Sequence, residues 1–144
     1  MEINISEAEW EVMRVIWSNQ ETTSKFVIDT LSEEKSWTAS TIKTLLSRLV
    51  EKGFISTKKI GNKFLYSPNC IEDECLDILT QNFLDRICER RTHIIVKNII
   101  ATDNLSKSNI DEIIELLQEK RKTAEEVITC KCLKGQCSCA AKHG

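Results

Sequence analysis

The chain has 144 residues, 41% apolar and 29% charged, ordinary proportions for a soluble globular protein of one domain or two small ones. No apolar run approaches the roughly 20 residues that cross a bilayer. The Met1–Ser6 stretch also lacks a basic region followed by an apolar core, so a cytoplasmic chain with no membrane partner is expected. The net charge of −2 is uneven: residues 35–67 hold seven cations and one anion, a net +6, and a concentrated basic face matters more to phosphate binding than the total does.

Ser6 and Glu9 have the spacing of a capping box, with Ile5 and Trp10 at the staple positions around it. Val12, Met13, Val15, Ile16 and Trp17 follow at helical spacing, which predicts a first helix over about residues 7–18. Glu7, Glu9 and Glu11 fall on it as capping and solvated positions. Thr22 or Thr23 can cap a second helix whose Val27, Ile28 and Leu31 face inward. A third helix is capped by Thr38, stapled by Trp37 and Ile42, and stopped by Gly53; Ile42, Leu45, Leu46 and Leu49 form its stripe. Ser40, Thr41, Lys43, Thr44, Ser47 and Arg48 are left outside, a small, polar, basic face without a carboxylate. Two short strands, Ile55–Lys59 and Lys63–Ser67, flank Ile60-Gly61-Asn62 and bring Lys58, Lys59 and Lys63 to the turn. Pro68, the single proline, ends this unit. Three helices and a basic hairpin describe a winged helix-turn-helix, in which the third helix reads the major groove.

After Pro68 the pattern is helical to about residue 128. Leu76, Leu79, Phe83, Leu84 and Ile87 form one stripe; Ile94, Ile95, Val96, Ile99 and Ile100 form a second, almost wholly apolar segment. A third helix, capped at Ser106 or Ser108, carries Ile110, Ile113, Ile114 and Leu117. Some sixty residues in three helices make a poor monomeric core, and a second copy of the chain is the expected partner. A two-fold dimer would present two recognition helices to a palindrome.

Four of the seven cysteines close the chain as Cys130-Lys-Cys132-Leu-Lys-Gly-Gln-Cys137-Ser-Cys139. An odd number of cysteines in a reducing compartment argues for metal or thiols over a disulfide framework. Gly135 can take positive φ and fold the second Cys-x-Cys pair onto the first, so that four sulfurs enclose one tetrahedral d¹⁰ ion or bridge copper(I). A static zinc clasp would more often use Cys-x₂₋₄-Cys spacing, which favours a site made for exchange. Cys70, Cys75 and Cys88 are not spaced as ligands with the tail and read as small buried apolar residues. His93 reads as a helix-surface or interface residue, His143 as a terminal solvated one, and the three tryptophans as core or staple residues.

The fold class is therefore mainly α. A winged helix-turn-helix DNA-binding domain spans 1–68, a helical dimerisation domain 69–128, and a Cys-x-Cys-x₄-Cys-x-Cys metal-binding tail 129–144. An enzyme is not expected: no Ser/His/Asp arrangement, phosphate loop or Cys-x-x-Cys in a βαβ setting is present.

Ser-Glu-Ala-Glu-Trp-Glu-Val-Met-Arg-Val-Ile-Trp (6–17), the stretch from Trp37 to Gly53 and Phe64-Leu-Tyr-Ser-Pro68 resemble the BlaI/MecI/CopY family of winged-helix transcriptional repressors. The terminal cysteines look like its copper-responsive CopY branch, which controls copper-homeostasis genes. That resemblance implies a zinc-loaded homodimer on a palindromic double-stranded DNA operator of the TACA–TGTA type. Copper(I), with a copper chaperone as donor, displaces zinc from Cys130, Cys132, Cys137 and Cys139 and releases the DNA. The β-lactamase branch is instead inactivated by proteolysis near an Asn-Phe bond; here the aligned place reads Asn98-Ile99, and that branch lacks the cysteine hook. Together with the basic hairpin, the resemblance favours DNA contact by Thr41 and its neighbours over a merely solvated face. Lys43 and Thr44 are placed toward base edges and Ser40, Ser47 and Arg48 toward the backbone, with Lys58, Lys59 and Lys63 making salt-sensitive contacts. A thiol-redox repressor, in which the cysteines oxidise to disulfides, and a metal buffer with an incidental basic patch are the competing readings.

Overall fold

The computed structural model describes residues 4–138, which fall into two compact units divided between Thr80 and Gln81. In the first, the elements are α1 (Glu7–Asn19), β1 (Thr22–Thr23), α2 (Ser24–Lys35), α3 (Ala39–Glu51), β2 (Ile55–Ile60) and β3 (Lys63–Pro68), followed by the start of α4 (Glu72–Leu84). The strands form one antiparallel sheet in the order β1-β3-β2. The hairpin has the expected position, with Lys59 opposite Phe64 and Ile60 opposite Lys63. Gly61 alone takes positive φ (62°) in its two-residue loop, the pattern of a type II′ turn. The third strand, β1, has no counterpart in the sequence reading. Two threonines are too short to show period two, and their strand exists only because Thr22 and Thr23 lie against Tyr66 and Leu65.

The caps explain where the helices begin and end. Thr23 accepts from the Phe26 N–H, and Thr38 from the Thr41 N–H, so both are N-caps. Gly53 follows the α3 C-cap at φ +84°; its N–H donates to Val50 O and that of Phe54 to Leu49 O, a Schellman stop. Ser36 closes α2 in the left-handed region (φ 56°, ψ 31°) and turns the chain toward α3.

Val12, Met13, Ile16, Val27, Ile42, Leu46, Leu49 and Ile55 form a fully buried core, lined by Ile5, Trp10, Ile28 and Trp37. The expected stripes of the first three helices thus meet in one place. Trp10 and Trp17 pack edge to face with centroids 5.2 Å apart, and Trp17 Nε1 donates to Cys70 O at 2.9 Å. Cys75 is buried at the edge of this core and donates to Cys70 Sγ at 3.1 Å, so both are the small packing residues expected.

Glu9 departs from the expected capping-box role. It is 3% exposed, and Lys52 Nζ donates to both its carboxylate oxygens (2.9 and 2.8 Å) and to Asn4 O (2.7 Å). Ser6 still caps α1 through the Glu9 N–H, but the Glu9 carboxylate accepts from the Ser6 hydroxyl and Lys52 and does not complete the reciprocal box. A buried carboxylate takes the nearest cation in place of a second backbone donor.

The second unit contains the end of α4, a 3₁₀ turn (Glu89–Arg91), α5 (Thr92–Thr102) and α6 (Lys107–Arg121). Ser106 caps α6 in a full capping box with Asn109. Helix α6 stops at Arg121, short of the expected residue 128. Its end tightens into three-residue bonds, Lys122 to Glu119, Thr123 to Lys120 and Ala124 to Arg121, which close the helix. Neither α5 nor α6 buries a residue within the chain, and Val96, Ile99, Ile100, Ile110, Ile114 and Leu117 are exposed. Among the described residues, no helix is long and apolar enough to cross a membrane.

Candidate nucleic-acid interface and thiol cluster

The outer face of α3 is built by the same register that builds the core. With Ile42, Leu45, Leu46 and Leu49 turned inward, Ser40, Thr41, Lys43, Thr44, Ser47 and Arg48 are all exposed. Ser40, Lys43, Thr44 and Ser47 surround a shallow hollow on this face. The Thr44 hydroxyl donates to Ser40 O at 3.0 Å, which leaves its oxygen able to accept. Thr41 shares a hydroxyl hydrogen bond with Thr38 at 3.0 Å and so helps to fix the helix start. On the wing, Lys58, Lys59 and Lys63 are exposed, and Lys59 Nζ lies 5.9 Å from the centre of the Phe64 ring. Among the described residues, Lys43, Arg48, Lys58, Lys59 and Lys63 are held in no ion pair. By contrast Lys25, Lys35 and Lys52 are paired with Asp29, Glu11 and Glu9. The cations on the candidate face are therefore available to phosphate, while three of the other cations of this unit are engaged in the fold.

The tail folds back as the Gly135 argument requires. Gly135 takes φ +94°, the Gln136 N–H donates to Leu133 O, and the Leu133 N–H donates to Gln136 Oε1, each at 2.9 Å. This turn brings Cys137 Sγ to 3.6 Å from Cys130 Sγ. The sulfurs of Cys88, Cys130, Cys132 and Cys137 lie within 4.8 Å of one another. Cys139 and His143 lie outside the described residues.

Cys88 is the residue that the sequence reading missed. Its spacing predicts a packing residue and no ligand, yet its sulfur joins the tail. A residue 42 positions before Cys130 leaves no local spacing to detect. The available cue was its setting, a polar turn from Asp85 to Arg91 where an apolar packing role is poorly served.

Burial pushes the Cys132 thiol up to about 11; hydrogen bonding with Cys88 and Cys130 and the charge of Cys130 add to the rise, and Cys137 opposes it. Without a metal the Cys132 thiol thus holds its proton, and a bound ion would displace it. The donor set suits a soft or borderline ion. Zinc–sulfur bonds of about 2.3 Å in a tetrahedron place sulfurs about 3.8 Å apart, close to the 3.6 Å between Cys130 and Cys137. His93 is exposed on α5, and Asn98-Ile99 lies within the same helix.

Comparison with known proteins places this architecture. The family profile described as "Penicillinase repressor" matches residues 5–119. The chain is 38% identical over 135 residues to an uncharacterised 16.5 kDa protein of Latilactobacillus sakei, covering 94% of this chain and 92% of that one. It is 35% identical over 122 residues to the penicillinase repressor of Bacillus licheniformis, covering 85% and 95%. The solution structure of the DNA-binding domain of the repressor BlaI is 41% identical, covers 51% of this chain and 93% of that one, and superposes with a TM-score of 0.46. The chain belongs to the penicillinase repressor family, a family of DNA-binding transcriptional repressors and not of enzymes.

Proposed function

We propose that this chain is a copper-responsive member of its family, a homodimer that holds a palindromic operator of copper-homeostasis genes and lets go when copper(I) replaces zinc at the tail thiols. The observation that carries the reading is the thiol cluster, with Cys130, Cys132 and Cys137 gathered by the Gly135 turn in a chain whose other unit is a winged helix. Cys139 completes the ligand set proposed from the sequence. Zinc bound there would be held in a closed tetrahedral cage, and copper(I), which soft thiolates favour, prefers fewer ligands in a different arrangement.

The chain's own residues do the rest. Lys43 and Thr44 face base edges from α3, and Ser40, Thr41, Ser47 and Arg48 flank them toward the backbone. Lys58, Lys59 and Lys63 carry the wing onto phosphate. The exposed isoleucines of α5 and α6 cover one another across a two-fold axis and set two recognition helices on two half-sites. A copper chaperone supplies the ion to the exposed tail.

Linkage sets the size of the switch: a coupling of about 1–3 kcal/mol lowers operator affinity roughly 5–150-fold, and operator lowers copper affinity by the same factor. The test is operator binding by the reduced protein under strict anaerobiosis, titrated with zinc and then copper(I), on a TACA–TGTA palindrome and a scrambled duplex. Retention on the palindrome with zinc and release with copper(I) is the expected result, and Cys132→Ser should bind without release. Unchanged binding on copper(I) addition ends the copper reading. Release by an oxidant alone would favour the thiol-redox alternative.

A further inference from the structure

We infer that Cys88 is a metal ligand that fastens the tail to the turn between α4 and α5, so that occupancy of the thiol site decides whether residues 130–138 are pinned to residues 86–91. This deepens the metal-sensing reading above and rests on it.

Three observations carry it. First, Cys88 Sγ belongs to the same group of sulfurs as those of Cys130, Cys132 and Cys137, all within 4.8 Å of one another, so the described residues alone supply the four thiolates a tetrahedral ion takes. The cluster draws on two stretches of chain, and the other two upstream cysteines are elsewhere, Cys70 and Cys75 being 3.1 Å apart at the core of the first unit. Second, the turn that holds Cys88 is built to present a side chain. The Arg86 and Ile87 N–H groups donate to Phe83 O and Leu84 O at 3.2 and 3.0 Å, and the Arg91 N–H donates to Cys88 O at 2.8 Å. Cys88 takes the N-cap position of the 3₁₀ turn (φ −56°, ψ 126°) without using its side chain as the cap. Third, the surroundings offset charge. Arg86, Arg90 and Arg91 line a hollow with Cys88 and Cys137, and Lys131 lines the adjoining hollow with Cys88, Cys132, Asp85 and Glu89, so cations outnumber carboxylates around the sulfurs. Four thiolates around a divalent ion leave a net negative charge, and an excess of neighbouring guanidinium and ammonium groups lowers its cost.

The role separates binding from signalling. Tail thiols alone would make a metal hook independent of the rest of the chain. A ligand on the turn makes each metal event a change in how the tail is held against the helical unit, which is the differential contact that a switch needs.

The test is peptide-resolved alkylation of the reduced full-length chain with iodoacetamide, without metal and with saturating zinc, read by mass spectrometry, together with zinc affinity of the Cys88→Ser variant by chelator competition. Zinc should slow alkylation of Cys88 at least about tenfold, in step with Cys130, Cys132 and Cys137. Cys88→Ser should bind zinc roughly 10–100-fold more weakly, since loss of a ligand costs at least what loss of an outer-shell partner does. Protection of the tail thiols with Cys88 alkylating at its metal-free rate overturns this inference and leaves the metal-sensing reading standing. Protection of Cys88 with unchanged zinc affinity in Cys88→Ser also overturns it, because steric cover alone would explain the protection. Absence of protection at every cysteine overturns both.

Discussion

Glu9 and Lys52 show how a single pair can tie distant parts of the winged helix together. The carboxylate belongs to the first turn of α1 and the ammonium to the C-cap of α3, and the pair closes at 2.8 Å with the acid buried. Removing one partner of a buried pair strands the other charge. Lys52 keeps 26% of its side chain exposed, so screening reduces the full effect, and Lys52→Met should cost about 2 kcal/mol in urea unfolding. A loss below about 0.5 kcal/mol would place the pair with ordinary surface pairs.

Cys75 offers a second residue-level test. Burial pushes its thiol from 9.0 up to about 12, with the Cys70 hydrogen bond and the charges of Cys70, Glu74 and Glu72 adding to the rise. The unfolded chain therefore loses this proton first as pH rises, while the folded chain keeps it. The contribution is complete below pH 9 and is lost on the way to pH 12. Wild type should lose more stability across that window than Cys75→Ala, which lacks the group. Parallel curves for the two proteins would show that the thiol is not protected in the fold.

At the scale of elements, α3 and the β2–β3 wing divide the proposed DNA contact between them. Lys43 shares its exposed hollow with three hydroxyl residues, Ser40, Thr44 and Ser47, a setting for base edges as well as phosphate. Lys58 and Lys63 sit on strands joined by a two-residue turn and do not line that hollow. Lys58→Ala should therefore weaken palindromic and scrambled duplexes alike and lower the slope of log affinity against log salt by about 1. Lys43→Ala should cost about 1–3 kcal/mol on the palindrome and narrow its margin over the scrambled duplex. Equal losses on both duplexes for both variants would move Lys43 to the backbone group. These elements were legible in advance because caps, stripes and stops agreed: Thr38, the Ile42 to Leu49 stripe and Gly53 each predict the same helix by a different physical rule. The two-residue β1 was not legible, since pairing with β3 and no local pattern creates it.

For the whole molecule, the uncovered faces of α5 and α6 matter most. Ile99 is 51% exposed and Leu117 52%, in helices that fully bury no residue within the chain. If a second copy covers them, Ile99→Asp should convert the dimer to monomer in sedimentation at micromolar concentration. Operator affinity should fall with it, because one half-site replaces two. A dimer of unchanged strength would locate the interface elsewhere.

The sequence by itself determined the three helices of the winged unit, its hairpin, the basic face without carboxylates and the Gly135 turn. Each of these depends on residues within about one helical turn or one strand of one another, where spacing is geometry. Tertiary structure alone decided the partners of Glu9 and Thr22 and the company of Cys88. Those contacts join residues many positions apart, and linear spacing holds no record of which distant segment the folded chain brings near. The tail cysteines were visible as a group because four lie within ten residues; Cys88 became visible only when the turn after α4 and the tail were seen to share one cluster.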